Sequence, residues 1–119
     1  MAISCLIPTY NEAPRIGYII SKLLKVSNLS EILVIDDGST DHTISVVRQF
    51  PRVTLINHSH NFGKTAAIKT GLKHIKSPNV LLFDADIDFI DQTEVQKSIT
   101  IFESNLSIDM LVYRTIRDR

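Results

Sequence analysis

Cysteine is nearly missing from this sequence. Cys5 stands alone among 119 residues, so neither an intrachain disulfide framework nor a cysteine-based metal site is available. Glycine and proline are sparse, four of each, which excludes collagen-like and linker composition. Net charge is lacking as well. The 13 basic side chains balance 13 acidic ones, which removes the broad electrostatic case for binding nucleic acid or an anionic membrane. No apolar run approaches the ~18 residues that would cross a bilayer. The apolar stretch from Ile3 to Ile7 is too short for a signal-peptide core and has no basic flank. The expected address is the cytoplasm, at the inner face of the membrane should an anchor follow the last residue.

What the chain does have is core material. Hydrophobic residues make up 44% of it, too many for wholesale disorder, and its length suits one domain or a piece of a larger one. There is no internal repeat and no low-complexity segment. Short apolar runs rich in β-branched residues read as buried strands: Ile3–Pro8, Glu31–Asp36, Val53–Asn57, Val80–Asp84 and Met110–Tyr113. Between them lie stripes with helical spacing. These are Ile16, Ile19, Ile20, Leu23 and Leu24; Thr43, Val46, Val47 and Phe50; Ile68, Leu72 and Ile75; and Val95, Ile99, Phe102 and Leu106. Pro14 suits a helix start, Ser39, Thr40 and Asp41 offer N-caps, and Pro51 and Pro78 close two helices. Strict alternation predicts an α/β fold: a mostly parallel sheet with helices on both faces and right-handed crossovers. Ligands of such sheets bind beyond the carboxyl ends of the strands.

Polar residues gather at those ends. Pro8-Thr9-Tyr10-Asn11-Glu12 follows the first strand and Asp36-Asp37-Gly38-Ser39-Thr40-Asp41 the second. Asn61-Phe62-Gly63-Lys64 follows the third, and Asp84-Ala85-Asp86-Ile87-Asp88 the fourth. Any one loop is polar by habit, but four on one rim are harder to dismiss. Asp84, Asp86 and Asp88 sit at i, i+2 and i+4, which on extended backbone places three carboxylates on one side. Hard oxygen donors in that number suit Mg²⁺ or Mn²⁺, and a magnesium-type ion keeps places for substrate phosphates. The blander alternative is a solvated acidic turn in which Asp88 or Asp91 caps the fourth helix.

Competing motifs fail on the letters. An EF-hand loop from Asp84 would need glycine where Phe89 stands and glutamate where Val95 stands. A P-loop ending at Gly63-Lys64-Thr65 would need glycine at His58, and no G-x-G-x-x-G follows a strand. A phosphatase with an aspartate nucleophile would carry its acids on the first strand with Thr or Val in place of Asp88. One of Asp36 and Asp37 can accept from a base N–H or a ribose hydroxyl while the other caps a turn in which Gly38 takes positive φ. Lys64 can reach a phosphate or be an ordinary surface lysine. His42, His58, His60 and His74 form no ligand set, and Cys5 reads as a small core residue.

Taken together, these motifs resemble the nucleotide-sugar-binding half of an inverting family 2 glycosyltransferase with the Rossmann-like GT-A fold. The matching pieces are Ile7-Pro8-Thr9-Tyr10-Asn11-Glu12, Val34 to Asp41, Asn61 to Lys64 with Ala66, Ala67 and Gly71, and Asp84-Ala85-Asp86. The resemblance implies that Pro8, Thr9, Tyr10 and Glu12 wrap the nucleoside. Asp37, beside Asp36, holds base or ribose, and Lys64 binds the donor. Asp84-Ala85-Asp86 is the DxD motif on the metal and diphosphate, with Asp84 and Asp86 as metal ligands. Asp88 falls where the polyprenyl-phosphate sugar synthases of the family place a further metal ligand, often glutamine. The segment Asp109 to Arg114, followed by Arg117 and Asp118, resembles the end of that subgroup's fifth strand, although Val112 stands where glycine often precedes the Tyr-Arg pair; on that resemblance Arg114 and Arg117 are phosphate contacts, the alternative being exposed charges.

The activity implied is transfer of a sugar from a UDP- or GDP-linked donor to an acceptor, with a polyprenyl phosphate as the acceptor of that subgroup. Members of the family usually continue well past such a segment, into a region that supplies the acceptor site and often an acidic base. The expectation is therefore a single truncated domain, residues 1–119, with no catalytic base of its own and an exposed sheet edge favouring association. The alternative is a non-catalytic nucleotide-sugar-binding module.

Overall fold

The protein is described here by a computed structural model covering residues 3–85, 90–103 and 110–113. Five strands and four helices alternate as expected. They are β1 (Ile3–Thr9), α1 (Ala13–Leu23), β2 (Leu29–Asp36), α2 (Thr43–Val47), β3 (Val53–Asn57), α3 (Lys64–His74), β4 (Asn79–Phe83), α4 (Gln92–Glu103) and β5 (Met110–Tyr113). The strands form one sheet in the order β3-β2-β1-β4-β5, and every neighbouring pair is parallel.

Side-chain alternation divides the core into two layers. Ile3, Cys5 and Ile7 of β1, Ile32 and Val34 of β2, and Leu81 and Phe83 of β4 pack on one face with α1 and α2. Leu6, Leu33, Ile35 and Val80 point the other way, against Ala67 of α3. Both faces of β1 are therefore apolar, which is why its sequence reads as a continuous hydrophobic run. Ile16, Ile19, Ile20 and Leu23 are the buried residues of α1, as the spacing predicts. Burial of each such side chain is worth roughly 1.5–3 kcal/mol. Cys5 belongs to this core, and burial pushes its thiol pKa up, leaving it a small apolar side chain.

From β1 to β3 the chain steps in one direction with α1 and α2 on one face. It then reverses to reach β4, and α3 crosses on the opposite face, as a constant hand requires. The last connection departs from the expected uniform hand. From β4 to β5 the chain continues outward, yet Val95 and Ile99 of α4 join the core on the α1 face. Contacts with α1 and the loop after it hold this segment there: just before α4 the Ile90 N–H donates to the Tyr18 hydroxyl at 3.1 Å, and within α4 Gln96 Oε1 accepts from the Ser27 N–H at 2.9 Å. Among the described residues no helix is long and apolar enough to cross a membrane.

The stripe expected on α3 meets the contact only in part: Ile68 and Ile75 pack against the core, and Leu72 does not. Ala67 and Gly71 are its buried residues, whereas Leu72 is 39% exposed. The helix runs so close to the sheet that a Cβ on Gly71 would sit 2.1 Å from Leu6 Cδ1. Only small side chains fit along that line, so the larger ones of Ile68 and Ile75 pack at its margin.

Candidate functional site

The reversal of strand order leaves a crevice between the carboxyl ends of β1 and β4, the place where open sheets of this kind hold ligands. Two loops beside it are joined by their own side chains. Asn11, at φ 51°, turns its side chain toward the loop after β2, and its Oδ1 accepts from the N–H groups of Thr40 at 2.8 Å and Asp41 at 3.3 Å. Its own N–H donates to Ser39 Oγ at 2.8 Å. Asp36 is fully buried and closes the turn from below, accepting from the Ser39 hydroxyl at 2.6 Å and the Ser39 N–H at 2.9 Å. Asp41 caps two helices at once, taking the N–H of Thr43 at 2.9 Å and of Ala13 at 3.3 Å. Burial opposes its ionisation, but the Thr43 hydroxyl and these amides outweigh it and hold its carboxyl below the usual range.

Asp37 sits at the bottom of the crevice, 3% exposed, and its N–H extends the β1–β2 ladder by donating to the Thr9 carbonyl at 2.8 Å. Its Oδ1 accepts from the Phe62 N–H at 2.9 Å and faces His58 Nδ1 at 2.8 Å, while Oδ2 accepts from the Gly63 N–H at 2.8 Å. Burial raises its pKa, but these three donors more than offset that, and the carboxylate is held below its ordinary value. Gly38, at φ 78°, allows the approach of the loop after β3: a Cβ there would lie 2.5 Å from the His60 carbonyl carbon. Gly63, at φ 100°, ends that loop and opens α3.

The result is a cavity of about 410 Å³ lined by Pro8, Thr9, Tyr10, Glu12, Asp37, Asn61, Gly63, Lys64, Ala67, Asp84 and Ala85. Eight of the residues singled out from the sequence thus meet in one place: Pro8, Thr9, Tyr10, Glu12, Asp37, Lys64, Asp84 and Ala85. Asp36 is not among the lining residues; its oxygens face the turn. Asp86, Asp88 and Arg114 lie outside the described residues, so the candidate metal cluster is represented by Asp84 alone. Among the described residues no three acids, histidines or cysteines converge as a metal site. Asp84 nonetheless suits a hard cation in kind. It presents a carboxylate at the cavity wall, 3.3 Å from the Lys64 ammonium, so this spot already holds a positive charge against the acid.

Three lining residues carried no assigned role in the sequence: Asn61, Gly63 and Ala67. The first two belong to a motif noted after β3, and Ala67 follows from the close approach of α3. The sequence places His58 in no ligand set, yet its ring is the inner partner of Asp37. Nothing in the letters around it signals that contact, which arises only when β3 is laid beside β2.

A family model described as glycosyl transferase family 2 matches residues 4–118. The chain belongs to this glycosyltransferase family. Among its relatives, the dolichyl-phosphate beta-glucosyltransferase ALG5D of Trichomonas vaginalis is 37% identical over 97 residues, covering 71% of this chain and 30% of that protein. Among solved structures, the mannosyltransferase PcManGT from Pyrobaculum calidifontis, in complex with GDP-Man and Mn²⁺, superposes with a TM-score of 0.72. It is 29% identical, and the match covers 82% of this chain and 31% of that one. TarS of S. aureus in complex with UDP gives 0.74 at 25% identity, over 87% and 32% of the two chains. This glycosyltransferase chain therefore spans about a third of the length of the relatives it matches. The neighbours carry the GT-A fold, in agreement with the α/β sheet described above.

Proposed function

We propose that this chain is the donor-binding part of an inverting, metal-dependent glycosyltransferase that takes a sugar from a UDP- or GDP-linked donor and passes it to an acceptor, a polyprenyl phosphate. The observation that carries this reading is the convergence of four separate loops on one cavity at the strand-order reversal. Neighbours of the same fold hold GDP-Man with Mn²⁺ and UDP, and a relative is described as acting on dolichyl phosphate, which supports the donor and acceptor classes.

Pro8, Thr9 and Tyr10 form the wall against which a nucleoside lies, with the half-exposed Tyr10 ring available for stacking. Asp37 accepts from the nucleoside. Lys64 directs its ammonium toward a phosphate. Asp84, with Asp86 and Asp88, would hold Mg²⁺ or Mn²⁺, which when bound neutralises charge on the leaving diphosphate. The described acids in the cavity are already engaged, Asp37 by three donors, Asp84 by Lys64 and Glu12 by Arg15 at 3.2 Å. None is placed as a general base. A phosphate acceptor, already anionic, needs none; a hydroxyl acceptor would, and for it the second reading is a module that binds the donor without turning it over.

The test is calorimetric titration of UDP, GDP and their sugars with and without Mn²⁺, on the wild type and on Asp84→Ala and Asp86→Ala. The expected result is nucleotide binding strengthened by Mn²⁺, with that increment lost in both variants. An increment unchanged by either substitution would remove the metal role. Release of sugar from a labelled donor separates the transferase from the binding module.

A further inference from the structure

We infer that His58 is a positioning residue that sets which base the Asp37 carboxylate accepts, an inference that rests on the nucleotide reading of the cavity. His58 is the first residue past β3, and its N–H donates to the Asp36 carbonyl at 2.8 Å, extending the sheet by one rung. Its ring is pinned from three directions. Nδ1 lies 2.8 Å from Asp37 Oδ1, and Nε2 lies 2.8 Å from Thr70 Oγ1 on α3. The Phe62 ring meets it edge-on at 5.6 Å. An ionised carboxylate only accepts, so Nδ1 carries the proton toward Asp37. The ring is 13% exposed, so water competes little for these positions.

This arrangement rations the acceptor positions on Asp37. A carboxylate offers about four lone-pair sites. Among the described residues, Oδ1 serves two donors, His58 and the Phe62 N–H, and Oδ2 serves one, the Gly63 N–H. One site remains, on Oδ2. A base edge with a single N–H between two carbonyls, as in uracil, matches one acceptor. Guanine brings N1–H and an amino N–H side by side and needs two, so one donor would enter the pocket unpaired. Neighbours of this fold hold either UDP or GDP-Man, so the fold leaves the base open. His58, by occupying Oδ1 and anchoring it to α3, closes the second position.

Titration of the 119-residue chain with UDP and with GDP, both with Mn²⁺, tests this on the wild type and on His58→Leu, His58→Asn and His58→Gln. The wild type is expected to favour UDP about tenfold, the worth of one buried hydrogen bond. His58→Leu loses about tenfold in UDP affinity and less in GDP affinity, since Oδ1 now has a site to give. His58→Asn places an amide N–H where Nδ1 was and restores both the UDP affinity and the ratio. His58→Gln is longer, reaches toward Thr70 instead, and does not. Should His58→Leu fail to fold, the contrast between Asn and Gln decides alone. Equal losses for both nucleotides with no rescue by Asn, paralleled by lower melting temperatures, would make His58 structural and overturn the inference. So would a wild type that binds GDP at least as tightly as UDP. A wild type that binds neither overturns the nucleotide reading itself.

Discussion

At the scale of single residues, the neighbouring acids Asp36 and Asp37 divide two tasks. Asp36 turns inward and builds the loop, while Asp37 faces the cavity. The sequence places both at a strand end and allows one structural and one functional acid; the pattern leaves their order open, and the family resemblance alone singles out Asp37. That order depends on which carboxylate meets the Phe62 and Gly63 amides, and these come from a loop 25 residues away. Asp41 is the third acid of this stretch. A carboxyl whose folded pKa is depressed stabilises the fold above its unfolded value, near about 3.9, and that contribution fades as pH falls through the folded value. For Asp37 and Asp41 together the loss is therefore expected below about pH 4, seen as a falling urea midpoint. Asp41→Ala removes a double cap and should cost about 0.5–2 kcal/mol at pH 7, with a shallower acid limb. An unchanged urea midpoint at pH 7 would show that the cap contributes nothing.

At the scale of elements, the periodicity of α3 marks the edge of its packing face and misses its centre. The apolar spacing suggests Ile68, Leu72 and Ile75; Ile68 and Ile75 do pack against the core, but the closest approach to the sheet runs along Ala67 and Gly71, and Leu72 is exposed. Hydrophobicity marks where large side chains fit, and a helix pressed against a sheet leaves no room for them at the line of closest approach. Gly71→Ala tests this directly. Alanine gains about 1 kcal/mol of helix propensity over glycine. Its Cβ would fall 2.1 Å from Leu6 Cδ1 and 3.0 Å from Ile35 Cδ1, both buried. Overpacking of that kind costs about 1–3 kcal/mol. The expected outcome is a net loss in urea unfolding, together with weaker nucleotide binding, because α3 carries Lys64 and Thr70. A stabilised variant would mean that the helix has room to move outward. By contrast, the buried stripe of α1 and the cores of β1, β2 and β4 were legible, since each lies in a local run that contacts large apolar partners.

At the scale of the whole molecule, the order β3-β2-β1-β4-β5 brings Lys64 and Asp84 face to face across the cavity, 20 residues apart in the chain. The pair is exposed, with side chains 59% and 28% accessible, so solvent screens it and it adds little to stability. Its effect should fall on charge within the site. Lys64→Met is expected to leave the urea midpoint within about 0.5 kcal/mol of wild type. Affinity for a nucleoside diphosphate should fall several-fold, with a weaker dependence on ionic strength. A large loss of stability, or a salt dependence identical to wild type, would contradict that assignment.

The order of strands and helices, the acids at the strand ends and the family itself follow from the letters, because each rests on patterns a few residues long: period-two strands, helical stripes, turn chemistry and motifs in register. The crevice between β1 and β4, the closeness of α3, the departure in hand at α4 and the link from His58 through Asp37 belong to the folded chain. They depend on which strands become neighbours and how near a helix approaches, and those distances are settled by long-range packing that no local run of residues encodes.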